Sequence, residues 1–210
     1  MAASEQIKAN GFAGASLSSI AASCGVTKGA LAHHFPTKVA FAEGIAEYFL
    51  GALETARREA LIAWPDGGIR ALVGFIVQVG NAMAMDPRCS AAVVLFTDPS
   101  APERSTDRIL MAWTECIRGF LSTAVVNGEA DLPMPLDQAT GYLVTGMIGA
   151  LVYMRRAARP KETERMRFVR LAFTALGVHD PDSTVTEVME HARRIDDLNN
   201  LPPLRRDSRP

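Results

Sequence analysis

Few side chains in this 210-residue sequence are spaced for bond-making chemistry. His33 and His34 are neighbours, so on a helix their rings diverge and cannot converge on one metal. Glu187 and His191 stand four apart and could share a helix face, a spacing that serves a solvated pair equally well. Cys24, Cys89 and Cys116 are odd in number, widely separated and without a CxxC, the usage of buried thiols in a reducing cytoplasm rather than of a zinc site or disulfides. There is no GxSxG, no HExxH and no Gly-rich loop after a strand pattern. An enzyme, a metal site and a cofactor are therefore not expected, and the chemistry left is non-covalent binding. Trp113 is the clearest such residue. It recurs with Ile109, Leu110, Ile117 and Leu121 at helical spacing, where an indole can cover an apolar ligand and donate one hydrogen bond, or simply pack in a core.

The elements that must position these residues read as helices. Of the residues, 48% are hydrophobic and 21% charged, an ordinary globular balance. Nowhere does a β-branched run alternate cleanly with polar residues, while several stretches repeat apolar residues at three and four. The expected fold class is all-α. Pro and Gly breakers leave long helical segments at 37–63, 69–86, 103–126, 137–158 and 161–176. No membrane span is expected, because the longest apolar run, 143–154, is short and glycine-rich. Residues 1–42 contain short helical pieces with polar ends and read as a small module. Residues 43–197 read as a larger helical body, and 198–210 as a disordered tail.

Within the small module, Ser16 can cap a helix that turns Ile20 and Ala21 inward. Gly25 permits the left-handed backbone of a tight turn, Val26 fills the space beneath it, and Thr27 caps a second helix whose Leu31 points back to the core. This is the spacing of a helix-turn-helix, which packed hairpins in other proteins can imitate. The longer string GFAGASLSSIAASCGVTKGALAHHFPTKVAF, from Gly11 and Phe12 to Phe35, Lys38 and Phe41, resembles the signature of the TetR family of bacterial transcriptional regulators. That resemblance implies a homodimer binding double-stranded operator DNA, a small-molecule effector bound in the body, and a cytoplasmic, nucleoid-associated protein.

Carried onto this chain, the resemblance implies that Thr27, Lys28, Gly29, Ala30, His33 and His34 face the major groove or its phosphates. Lys28 and Lys38 would be phosphate contacts, and His34 could instead pack under the helix. Two departures stand against it. Ala32 replaces the tyrosine usual in the family, and only residues 2–10 precede Gly11, so the first helix is about half the length implied. Lys8, Lys28 and Lys38 against Glu5 leave residues 1–42 at +2, a thin footprint for a phosphate backbone. The alternative is a ligand-sensing or heterodimerising protein with weak DNA binding of its own.

VTKGAL, PRCSAAVVLFTD and Trp113 resemble more narrowly the γ-butyrolactone receptor branch. This implies that Trp113 lines a pocket, with Thr97 or Thr114 as polar partner, for an apolar effector such as a γ-butyrolactone; Phe75, Val79, Met83, Phe96 and Ile117, apolar at helical spacing, read either as core packing or as the rest of that pocket's lining. Val144, Ile148, Gly149, Leu151, Val169 and Phe173 lie on two segments that offer more apolar surface than one protomer easily buries. They are expected at a four-helix dimer interface, with an internal core as the other reading.

Overall fold

Caps and prolines set the helix ends. Thr37 Oγ1 accepts a hydrogen bond from the Ala40 amide at 3.0 Å, and Asp86 Oδ1 accepts one from the Arg88 amide at 2.8 Å with Pro87 opening the next helix. The computed structural model describes residues 11–23, 25–156 and 162–199. A helical turn over residues 11–14 is followed by α1 (Leu17–Ser23), α2 (Lys28–His34), α3 (Lys38–Ala63), α4 (Gly68–Met85) and α5 (Pro87–Thr97). Then come α6 (Glu103–Val126), α7 (Leu136–Arg156), α8 (Glu162–Ala175) and α9 (Pro181–Asn199). Among the described residues the only β-pairing is an isolated bridge between Ala130 and Val178. The fold is all-α.

The longer helices follow the breakers to within a residue or two. Two helices exceed what periodicity alone offers. The apolar run at 91–96 belongs to α5, because the Asp86 cap and Pro87 start a helix ahead of it. The polar α9 is 19 residues long and takes in residues 198 and 199 of the expected tail. Residues 200–210 lie outside the described residues, as do residues 1–10.

α3 is the spine. Phe41, Ala42, Ile45, Ala46, Phe49, Leu53, Ala56 and Ala60 are buried along one stripe of it, at the three-and-four spacing of an amphipathic helix. α4, α5 and α6 pack along this stripe, α7 packs on α6, α8 on α7, and α9 against both α8 and α4. The expected 42/43 division falls inside α3, and the core crosses it: Phe12, Ile20 and Leu31 belong to the same apolar cluster as Phe49 and Trp113. α4 and α6 are each long and apolar enough to cross a membrane. Here their apolar stripes, Leu72, Phe75 and Ile76 on one and Ile109, Trp113 and Ile117 on the other, are buried within the protein.

Polar contacts fix how the body closes. Glu129 Oε2, beyond the end of α6, accepts the Ile69 amide at 2.6 Å at the start of α4, and Arg70 Nε meets Glu187 Oε2 on α9 at 2.8 Å. α8 lies close on α7 at Gly146, where a Cβ would stand 2.6 Å from Phe168 Cζ. Phe173 on α8 is fully buried within the protomer, so Phe173→Ala should cost about 3–5 kcal/mol. Thermal denaturation of wild type and variant checks this, and the loss should not depend on protein concentration.

Candidate nucleic-acid interface and candidate pocket residues

Ser16 and Ser19 cap α1 reciprocally. The Ser19 amide donates to Ser16 Oγ at 3.0 Å and the Ser16 amide donates to Ser19 Oγ at 3.0 Å, a capping box with serine in the acidic residue's place. α1 ends in a paired closure: the Gly25 amide donates to the Ala22 carbonyl and the Val26 amide to the Ala21 carbonyl, both at 3.1 Å. Gly25 takes φ +67°, which this closure requires and which glycine adopts without steric cost. Thr27 Oγ1 then accepts the Ala30 amide at 3.1 Å and starts α2. Ile20, Ala21 and Leu31 are buried between the two helices. Val26, expected beneath the turn, is 44% exposed instead.

Because Leu31 fixes which side of α2 faces inward, Thr27, Lys28, Gly29, Ala30, His33 and His34 are all exposed. The rings of His33 and His34 meet edge to face at 5.4 Å, and neither packs beneath the helix. Ala32 is half-buried. Lys38 is placed differently from the rest of the expected set. Its Nζ donates to the Ala13 carbonyl at 3.1 Å and lies 4.4 Å from the centre of the Phe12 ring. It therefore holds the segment before α1, a role with no sequence signal because the two residues are 25 apart.

The expected pocket residues differ in burial. Phe75, Val79, Trp113 and Ile117 are buried, with Trp113 only 1% exposed, and Met83 and Thr114 are half-buried. The Trp113 ring meets Phe49 edge to face at 6.3 Å, and Phe75 tilts against Phe120 at 5.6 Å. The side chains of Phe96 and Thr97 lie outside the described residues. A groove of about 760 Å³ opens elsewhere, between α3, α4 and the start of α5, over Ala52, Ala56 and Ala82. At its edge Tyr48 Oη donates to Asp86 Oδ2 at 2.7 Å. The Arg88 guanidinium lies 3.8 Å from the centre of the Tyr48 ring, and its hydrogen bond to Asp86 holds that carboxyl far below the ordinary carboxylate range. Burial pushes the Cys89 thiol up to about 11, so it is a neutral packing group rather than a nucleophile.

Of the residues expected at a dimer surface, Val144, Val169 and Phe173 are buried within the protomer, and Ile148 and Leu151 are half-buried. Gly149 is exposed, with nothing within 4 Å of where a Cβ would stand. Among the described residues, the large apolar side chains left exposed on these helices are Tyr142, Tyr153 and Leu171, the last 64% exposed. Glu187 and His191 do not act together, since Glu187 pairs with Arg70 while His191 meets the Trp64 ring at 5.2 Å. No cluster of metal-ligating side chains forms among the described residues.

A helix-turn-helix whose second helix leaves its outer side exposed, carried on a larger helical body, is an architecture that DNA-binding regulators use. The family model of bacterial regulatory proteins, tetR family, matches residues 1–45. A γ-butyrolactone receptor (ArpA-like protein) has the same fold with TM-score 0.76 at 22% identity, over 92% of this chain and 94% of that one. The TetR family protein CprB from S. coelicolor A3(2) gives 0.70 at 24% identity over 91% and 92%, respectively. Tylp, a TetR regulator from Streptomyces fradiae, gives 0.66 at 23% over 95% and 94%. No curated protein matches in sequence. Residues 1–45 thus match the DNA-binding region of tetR-family regulators, and the whole chain shares the fold of the solved structures named above.

The two lysines should separate cleanly in a salt titration. Lys28→Ala should lower the slope of log affinity against log salt by about 0.9 per protomer. Lys38→Met, which removes the Ala13 contact, should leave the slope unchanged and lower the melting temperature. Fluorescence anisotropy on a labelled duplex between 50 and 200 mM salt, a range over which roughly six to ten phosphate contacts would cost about 10³–10⁵ in affinity, reads the slopes, and thermal denaturation reads the melting temperature.

Proposed function

We propose that the chain is an effector-controlled repressor that binds operator DNA as a homodimer in the cytoplasm, at the nucleoid, and is released by a small apolar molecule of the γ-butyrolactone type. The observation that carries this is the single exposed face of α2. Thr27, Lys28, Gly29, Ala30, His33 and His34 all lie outward, with small residues at the helix start that let its end approach base edges. A dimer that holds two such helices roughly 34–36 Å apart meets successive turns of B-DNA.

The effector reading rests on Trp113 and its apolar neighbours, and on the likeness to structures described as γ-butyrolactone receptors. Because Trp113 is closed over by its neighbours, a ligand reaching it must part them. Binding then selects a body conformation other than the one seen here, which is what release of DNA requires. For the dimer, we assign the exposed side of α7, with Tyr142, Gly149 and Tyr153, together with Leu171 on α8. The buried Val144, Val169 and Phe173 support these helices from within.

A second reading has its own observation. Lys38 is engaged with Ala13, and Ala32 offers no hydroxyl, so α2 brings few groups to phosphate. A regulator that senses a ligand and reaches DNA weakly, or through another partner, would look the same. Mobility-shift assays on the region upstream of the chain's own gene separate the two: a shifted band at low salt is expected, and its absence favours the second reading. Ala32→Tyr should add about one phosphate contact, a slope change of about −0.9 per protomer.

Titration of the Trp64→Phe protein with a long-chain γ-butyrolactone should change Trp113 emission and release DNA, and Trp113→Phe should weaken that release at least tenfold. A normal response in Trp113→Phe would make the indole a packing group alone. Gly149→Arg fits the free protomer, since a side chain there meets open space. It should melt like wild type yet run as a monomer by light scattering, and lose most DNA affinity. A Gly149→Arg dimer places the interface elsewhere.

A further inference from the structure

We propose that Asp98 is a latch that couples α5 of the body to the DNA-binding segment, so that the state of the body is read at residues 11–13. Asp98 caps the C-terminal end of α5. Its Oδ2 accepts the Phe12 amide at 2.6 Å and the Ala13 amide at 3.3 Å, across 86 and 85 residues of sequence. Its Oδ1 accepts the Ser100 amide at 3.0 Å and Ser100 Oγ at 2.6 Å. Ser100 first, then the backbone donors, hold the carboxyl below its ordinary range. The acceptor is thus ionised near neutral pH, and charge-assisted bonds of this kind are the stronger ones.

The receiving segment is built for the contact. Gly11 stands at φ +71°, and a Cβ on it would lie 2.9 Å from Asp98 Oδ2, so only glycine admits the carboxylate here without strain or displacement. Lys38 at the head of α3 also holds the Ala13 carbonyl and lies over the Phe12 ring, while Phe12 itself is buried. Residues 12 and 13 are therefore gripped twice, by the end of a body helix and by the start of the spine helix. α5 packs on both α3 and α4, so any shift of these three helices against one another moves the carboxylate relative to Lys38. The two grips then cannot both be kept without moving the turn that precedes α1. In this way a body conformation acquires a differential contact with the DNA-binding segment, which is what coupling between sites requires.

The consequence for DNA rests on the DNA-binding reading above; the latch itself does not. Hydrogen exchange read by mass spectrometry on the full chain tests both. In the free protein, Asp98→Ala should speed exchange of the Phe12 and Ala13 amides about tenfold, as a local opening, with the melting temperature nearly kept. Lys38→Met should speed exchange in the last turn of α5 in wild type but add nothing in Asp98→Ala, a non-additive pair. With a duplex selected from a random library by the wild-type protein, protection should spread to residues 87–97 in wild type and stay confined to residues 11–45 in Asp98→Ala.

Asp98→Asn retains an acceptor oxygen but not the charge, and should fall between the two. Unchanged exchange at residues 12 and 13 in Asp98→Ala overturns the latch. So does additive behaviour of the Lys38 pair, or protection of α5 on DNA binding that survives Asp98→Ala. Failure to select any duplex overturns the DNA-binding reading instead, while the two DNA-free measurements still decide the latch.

Discussion

One helix serves both ends of a single core. α3 is 26 residues long, about 39 Å at 1.5 Å per residue. Its first turns are covered by the helix-turn-helix and its remainder by the body. The buried stripe from Phe41 to Ala60 has to satisfy both sets of neighbours at once, and this sets the angle at which α2 leaves the molecule. Alanines at 42, 46, 56 and 60 let other helices lie close along it, while Phe41, Phe49 and Leu53 supply bulk.

Around this rod, carboxylates tie distant chain segments together by accepting backbone amides. Glu129 does so at the start of α4 and Asp98 at the turn before α1. Each such bond satisfies an amide that a helix start leaves without an intrahelical partner, and hydrogen bonds to charged groups contribute about 1.5–3 kcal/mol. They are directional, unlike the apolar contacts beneath them. The apolar core sets how well the helices stay together; the carboxylates specify which end meets which.

The surface divides along the same lines. α2 turns small and polar residues outward at one end, and α7 with α8 leaves Tyr142, Tyr153 and Leu171 uncovered elsewhere. These two helices thus bury Val144 and Phe173 on their inner side while Tyr142, Tyr153 and Leu171 stand exposed on the outer one.

By itself the sequence determined the local features. Helix ends followed from Thr27, Thr37 and the prolines, the turn from Gly25, and the inward side of α2 from Leu31, because capping and helical periodicity act over only a few residues. The likeness of residues 1–45 to the tetR-family model was legible for the same reason, as that motif is one contiguous string. Tertiary structure alone decided which apolar residues face the chain's own core. Val144, Val169 and Phe173 have the periodicity of an interface, and periodicity tells which residues share a face but not what covers it. It also decided that Lys38 turns to Ala13 and that Asp98 reaches Phe12. Contacts across 25 and 86 residues depend on where whole helices lie, and no local pattern encodes that.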